Sequence, residues 1–168
     1  MIKRVAIIFF ALLTICVNCF SQSNSSLTQK VNYIQGTIYE KSDEIIELLD
    51  GSIWLFEGMS LSLPMSDIII ILDKSLKSGI AYTSGYELTI THIKGDFLYR
   101  NGLFTTVIRE MGNGALLQTD DGSFWEVPQY DRYDSGYWLP PYKALITSNE
   151  LYLINLKKGK KIWVSKSK

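Results

Sequence analysis

The pentad Asp-Gly-Ser-x-Trp occurs twice, as Asp50-Gly51-Ser52-Ile53-Trp54 and Asp121-Gly122-Ser123-Phe124-Trp125, at a spacing of 71 residues. The flanks match as well: Ile45-Ile46-Glu47-Leu48-Leu49 aligns with Leu116-Leu117-Gln118-Thr119-Asp120. A strand, a tight Asp-Gly turn and a return strand bearing Trp is a hairpin signature, and its reuse predicts one β-unit built twice. The role assigned to Asp50, Gly51 and Trp54, and to Asp121, Gly122 and Trp125, is structural: Asp-Gly makes a type I′ turn, and each Trp packs inside.

Further on, Glu87–Lys94 aligns with Glu150–Lys157, where the offset falls to 63 and the first unit carries eight extra residues, and Phe97–Arg100 aligns with Lys161–Val164. Asn113-Gly114 is a second strong turn signal. Short strands with close-spaced turns predict an all-β chain: two tandem SH3-like small barrels, or one pseudo-symmetric sandwich or barrel. The expected units are 34–100 and 101–165. Units this small sit near the lower limit for independent folding without disulfide or metal, which predicts apolar surface shared between them. Ile53-Trp54-Leu55-Phe56 and Ile68–Leu72 are apolar at successive positions, and such strands are expected to be covered on both faces.

Residues 1–21 read as a secretory signal peptide that stands apart from this repeat. Lys3 and Arg4 precede the apolar run Val5–Val17, which at 13 residues is short for a membrane span. Residues 22–33 read as a flexible leader. Cleavage would remove Cys16 and Cys19, leaving no disulfide, thiol nucleophile or Cys-ligated metal, and 15 basic against 17 acidic residues. That balance argues against nucleic-acid binding. The expected location is secreted or periplasmic, with membrane attachment only through an uncleaved or lipidated N-terminus. Neither Ile15 before Cys16 nor Asn18 before Cys19 is the small residue that lipidation requires.

The stretch Leu117–Val127, with Trp138 and the Tyr152-Leu153-Ile154-Asn155-Leu156 strand, resembles small uncharacterised exported bacterial β-barrel proteins carrying DGSxW-type repeats. The resemblance implies a small barrel and no particular activity. The segment after Glu57 departs from it.

Candidate chemistry is sparse. His92 is the sole histidine; its alternation with Leu88 and Ile90, and its alignment with Asn155, suggest a hydrogen-bonding structural role, since Asn cannot replace a proton-transferring base. Nucleophile–histidine catalysis and a His-rich zinc site are thereby disfavoured, and no cofactor is implied. A carboxylate pair, Glu126 with Asp131 or Asp134, leaves a glycan hydrolase as the rival reading. The halves differ most at 128–142, where Tyr130, Asp131, Arg132, Tyr133, Asp134, Tyr137 and Trp138 crowd together before Pro140-Pro141. Aromatic and Arg enrichment marks binding hot spots, and function concentrates on loops held by rigid scaffolds. Either most of these rings fold back to plug a barrel end or fill the interface between halves, leaving Tyr130, Tyr133 and Tyr137 as the exposed ones, or the segment serves a non-enzymatic module contacting a glycan, wall polymer or protein. A structural envelope component without ligand is the third reading.

Overall fold

The computed structural model describes residues 28–57, 65–148 and 151–167; the expected signal peptide lies outside them. Thirteen strands dominate the described residues, which also hold one 3-10 turn and one five-residue helix. The first barrel comprises β1 (Gln29–Ser42), β2 (Ile45–Leu48), β3 (Ile53–Glu57), β4 (Asp67–Leu72), β5 (Ser78–Thr83) and β6 (Tyr86–Lys94). These pair in the order β1-β2-β3-β6-β5-β4, and β4 returns to β1, closing the ring. Closure removes the unpaired sheet edges that invite aggregation.

The remaining strands repeat this connectivity. They are β7 (Arg100–Met111), β8 (Leu116–Thr119), β9 (Phe124–Glu126), β10 (Tyr142–Thr147), β11 (Tyr152–Asn155), β12 (Lys160–Trp163) and β13 (Ser165–Lys166). β7 pairs with β8 and β10, β8 with β9, β9 with β13, and β12 with β11 and so back to β10. Only Val164 interrupts the run from β12 to β13. The two long strands, β1 and β7, carry bulges at corresponding places, Ile38/Glu40 and Val107/Arg109. There the residues Tyr39 and Ile108 turn outward, and each strand bends to serve two neighbours.

Residues 29–33, grouped above with a flexible leader, are strand: Gln29–Tyr33 pairs with β7 and joins the two barrels. Tyr33 is buried there, so apolar burial outweighs the polar composition of the preceding segment.

Each barrel has its own core. Ile34, Ile38, Trp54, Phe56, Ile68 and Ile70 fill the first; Val107, Leu117, Trp125, Trp138, Ile146 and Leu153 fill the second. A third cluster, of Tyr33, Ile69, Ile71, Tyr82, Leu145, Ile154 and Leu156, is drawn from both. Successive side chains on β4 therefore serve different cores, and all of Ile68–Leu72 is buried. Burying each such side chain contributes roughly 1.5–3 kcal/mol, so neither half is complete without the other. β3 departs from the expectation of cover on both faces: Trp54 and Phe56 point inward, but Leu55 is exposed. It lies between β2 and β6, not beside the β1–β7 junction.

Strand pairing also corrects the alignment of the halves. Trp54 sits opposite His92 on β6, and Trp125 opposite Lys166 on β13. β6 thus corresponds to β12–β13, whereas the sequence alignment matched it to β11. The positional counterpart of His92 is Lys166, not Asn155; Asn155 corresponds to Thr83, another buried polar residue at a strand end. The extra length belongs to the second half: 15 residues separate β9 from β10, against nine between β3 and β4.

Candidate binding surface

The Asp-Gly-Ser turns are three-residue loops. In the first, Gly51 N donates to Leu48 O at 2.9 Å and Leu48 N to Ser52 O at 2.9 Å. Only Gly51 (φ +81°) has positive φ, and Gly122 (φ +83°) does the same in the second loop. This is a type I turn followed by a glycine bulge, in place of the type I′ turn expected from Asp-Gly. Asn113-Gly114 does form the two-residue turn with positive φ at each position (+53° and +84°).

Past the turns, the two motifs diverge. The Ser52 hydroxyl donates to Asp50 Oδ1 at 2.6 Å and accepts from Trp54 Nε1 at 2.9 Å. The buried indole is thereby satisfied. In the second barrel Asp121 Oδ1 accepts from Thr119 Oγ1 at 2.7 Å and from Ser123 N at 3.0 Å. Partial burial works against the Asp121 charge, but these bonds outweigh it and hold the carboxyl below its usual range. Trp125 Nε1, equally buried, has no hydrogen-bond partner among the described residues.

His92 lies 4.8 Å, ring to ring, from Trp54 and 4.8 Å from Phe97. Its Nε2 meets the carbonyl of Gly95 at 2.8 Å. Gly95 itself (φ +88°) presses against the first motif, because a Cβ there would lie 2.5 Å from Gly51 O. His92 thus belongs to the frame around the Trp54 hairpin. In the second barrel Lys166 Nζ takes the corresponding place, 5.8 Å from the Trp125 ring centre.

The segment after β9 folds into the 3-10 turn Gln129–Asp131 and helix α1 (Arg132–Gly136). It is anchored from beneath. Ser135 is buried and donates to Gly114 O at 2.8 Å. Gly114 allows this approach, since a Cβ would stand 2.4 Å from Ser135 Oγ. Arg132 Nε donates to Val127 O at 3.0 Å, and Trp163 N donates to Asp131 Oδ2 at 2.6 Å. Asp131 and Arg132 therefore tie the segment to the barrel, although they were expected to orient a ligand. Trp138 is only 2% exposed and packs edge-on to Tyr142 at 5.8 Å. It is core, not the contact surface anticipated from sequence. Burial pushes the Tyr142 hydroxyl well above its usual range, aided by the charge of Glu110; that hydroxyl also lacks a hydrogen-bond partner among the described residues.

Above these anchors stand Tyr130, Tyr133 and Tyr137, 65–75% exposed, with Leu139 at 85%. Tyr133 and Tyr137 meet edge to face at 5.1 Å. Asp134 is exposed beside them. Two further rings, missed by sequence reasoning, lie on β12, which Asp131 holds, and on its neighbour β11: Tyr152 and Trp163 are cross-strand partners whose ring centres are 4.2 Å apart. The signal that could have found them was Trp163 within the short β12 strand, which the sequence alignment had matched to Tyr99. Of the hydrolase pair, Glu126 accepts from Ser167 Oγ at 2.9 Å and Asp131 is engaged by Trp163 N. Among the described residues no cluster of three His, Cys, Asp or Glu could hold a metal, and no helix is long and apolar enough to cross a membrane.

Comparison with protein-family models, curated proteins and solved structures finds no match to this chain.

Proposed function

We propose that the chain is an exported, non-enzymatic binding module of the cell envelope or extracellular space, built by internal duplication of one barrel, and that the second barrel carries its contact surface. The observation supporting this is the contrast within residues 129–139. Asp131, Arg132, Ser135 and Trp138 hold the backbone, while Tyr130, Tyr133, Tyr137 and Leu139 project from it. A rigid loop presenting unburied rings has little ordering entropy left to lose on binding, and Tyr offers a broad face with a hydrogen-bonding tip. Sugar rings of an envelope polymer suit such a surface, and the charge pattern at residues 1–21 supports export.

The test is binding of the purified protein to a glycan panel and to isolated envelope polysaccharide. Tyr133→Ala/Tyr137→Ala is expected to weaken binding by at least about tenfold, as loss of hot-spot rings does, with unchanged thermal unfolding. Parental affinity in that variant would overturn the assignment.

A further inference from the structure

A groove of about 180 Å³ opens where β1, β7, β10, β11 and β12 converge, lined by Tyr33, Gln35, Arg100, Thr147, Tyr152 and Lys161 among others. Its chemistry is one-sided. Arg100 and Lys161 face it and no described carboxylate does, in a chain with equal numbers of basic and acidic residues. The single ion pair among the described residues is Lys143–Glu87, elsewhere on the surface, so neither groove cation has a carboxylate partner there.

The strands dictate this arrangement. Arg100 is the register partner of Tyr33 across the junction between barrels, and Lys161 that of Ile154. Lys161 and Trp163, two residues apart on β12, share a face. Lys161 Nζ stands 5.1 Å from the centre of the Tyr152 ring, which is itself packed against Trp163. Lys161 therefore borders the aromatic pair, and Arg100 lines the same groove. The volume corresponds to roughly six water molecules, enough for one oxyanion and part of a ring.

We infer that this groove binds a sugar unit carrying one oxyanion, a phosphate or a carboxylate, with Arg100 and Lys161 gripping the anion and Tyr152, backed by Trp163, flanking the ring. An Arg fork matches the geometry of either oxyanion, and a Lys ammonium adds a point charge. The sugar half of the inference rests on the reading of the second barrel as a glycan binder; the oxyanion half stands on the groove alone. Asp131, by accepting from Trp163 N, connects the groove's strand to the exposed tyrosines, so one polymer could span the two.

The experiment is calorimetric or NMR titration of the protein with inorganic phosphate, a hexose phosphate, a hexuronate and the neutral hexose, at low and high salt. The charged sugars are expected to bind more tightly than either phosphate or neutral hexose, and to weaken as salt rises. Whichever of the two charged sugars binds better identifies the source of the oxyanion. Arg100→Gln/Lys161→Gln is expected to cost at least about tenfold, the scale of losing charge-assisted hydrogen bonds, whereas Lys74→Gln/Lys77→Gln, which removes the same charge from the turn between β4 and β5, changes nothing. Absence of oxyanion binding in the parent, equal loss in the two double variants, or phosphate binding as tight as that of the charged sugars would each overturn the inference. Tyr133→Ala/Tyr137→Ala should keep oxyanion binding, so failure of the loop reading and failure of this one give different results.

Discussion

Replacing Ser52 by Ala should damage the first barrel far more than replacing Ser123 by Ala damages the second, though the two serines occupy the same position of the same motif. Ser52 and Trp54 are both fully buried. Among the described residues the Ser52 hydroxyl is the partner of Trp54 Nε1, at 2.9 Å, and it also donates to Asp50 Oδ1. Ser52→Ala leaves a buried indole N–H unsatisfied, a penalty of about 1–3 kcal/mol. The lost Ser52–Asp50 bond adds about 0.5–1.5 kcal/mol. In the second barrel Trp125 Nε1 already lacks a partner among the described residues, and Asp121 keeps Thr119 Oγ1 and the Ser123 amide after the hydroxyl is gone. Ser123→Ala should therefore cost less than about 1 kcal/mol. Urea unfolding followed by circular dichroism separates these outcomes: with a slope of about 2 kcal/mol/M, Ser52→Ala lowers the midpoint by about 1 M and Ser123→Ala by less than half of that. Equal midpoint shifts, or a larger one for Ser123→Ala, would refute the claim that the hydroxyl relay is confined to the first motif.

Two other perturbations follow from local geometry. Gly95→Ala should destabilise by more than Gly122→Ala, since each has positive φ but only Gly95 would drive a Cβ to within 2.5 Å of Gly51 O; thermal unfolding of the pair checks this, with Gly122→Ala expected to cost about 1 kcal/mol. Asp73, hydrogen-bonded by the Ser78 and Ser75 hydroxyls, has its carboxyl lowered to about 2. A carboxyl depressed in the folded state contributes stability above its unfolded value and loses it as pH falls through the folded one. The Asp73 contribution is thus intact above about pH 4 and fades toward pH 2. Asp73→Asn should flatten the fall in stability across that window, and an unchanged slope, or an Asp73 NMR titration at an ordinary carboxylate value, would contradict it.

The legible part of the site was its composition. Exposed Tyr130, Tyr133 and Tyr137 were identifiable from sequence because a loop crowded with rings cannot bury them all. Trp138 was misjudged because loop membership says nothing about which ring turns inward; the backbone reversal through α1 decides that. Asp131 and Arg132 were misjudged for a related reason. A charged side chain in a loop looks available until the partner, here Trp163 N or Val127 O, is brought within reach from a remote part of the chain. Arg100, Lys161 and Tyr152 were invisible as a group, being assembled by three separate strand pairings.

Local pattern alone determined the β class, the positions of the turns and the inward Trp54 and Trp125, because hairpin chemistry and period-two alternation act over a few residues. Tertiary structure decided the register that pairs His92 with Trp54 and Lys166 with Trp125, the extension of β1 through residues 29–33, and the division of Ile68–Leu72 between two cores. Those outcomes depend on which strands close each ring and which apolar faces meet between the rings. Such contacts join residues far apart in sequence, where neither spacing nor composition carries a signal.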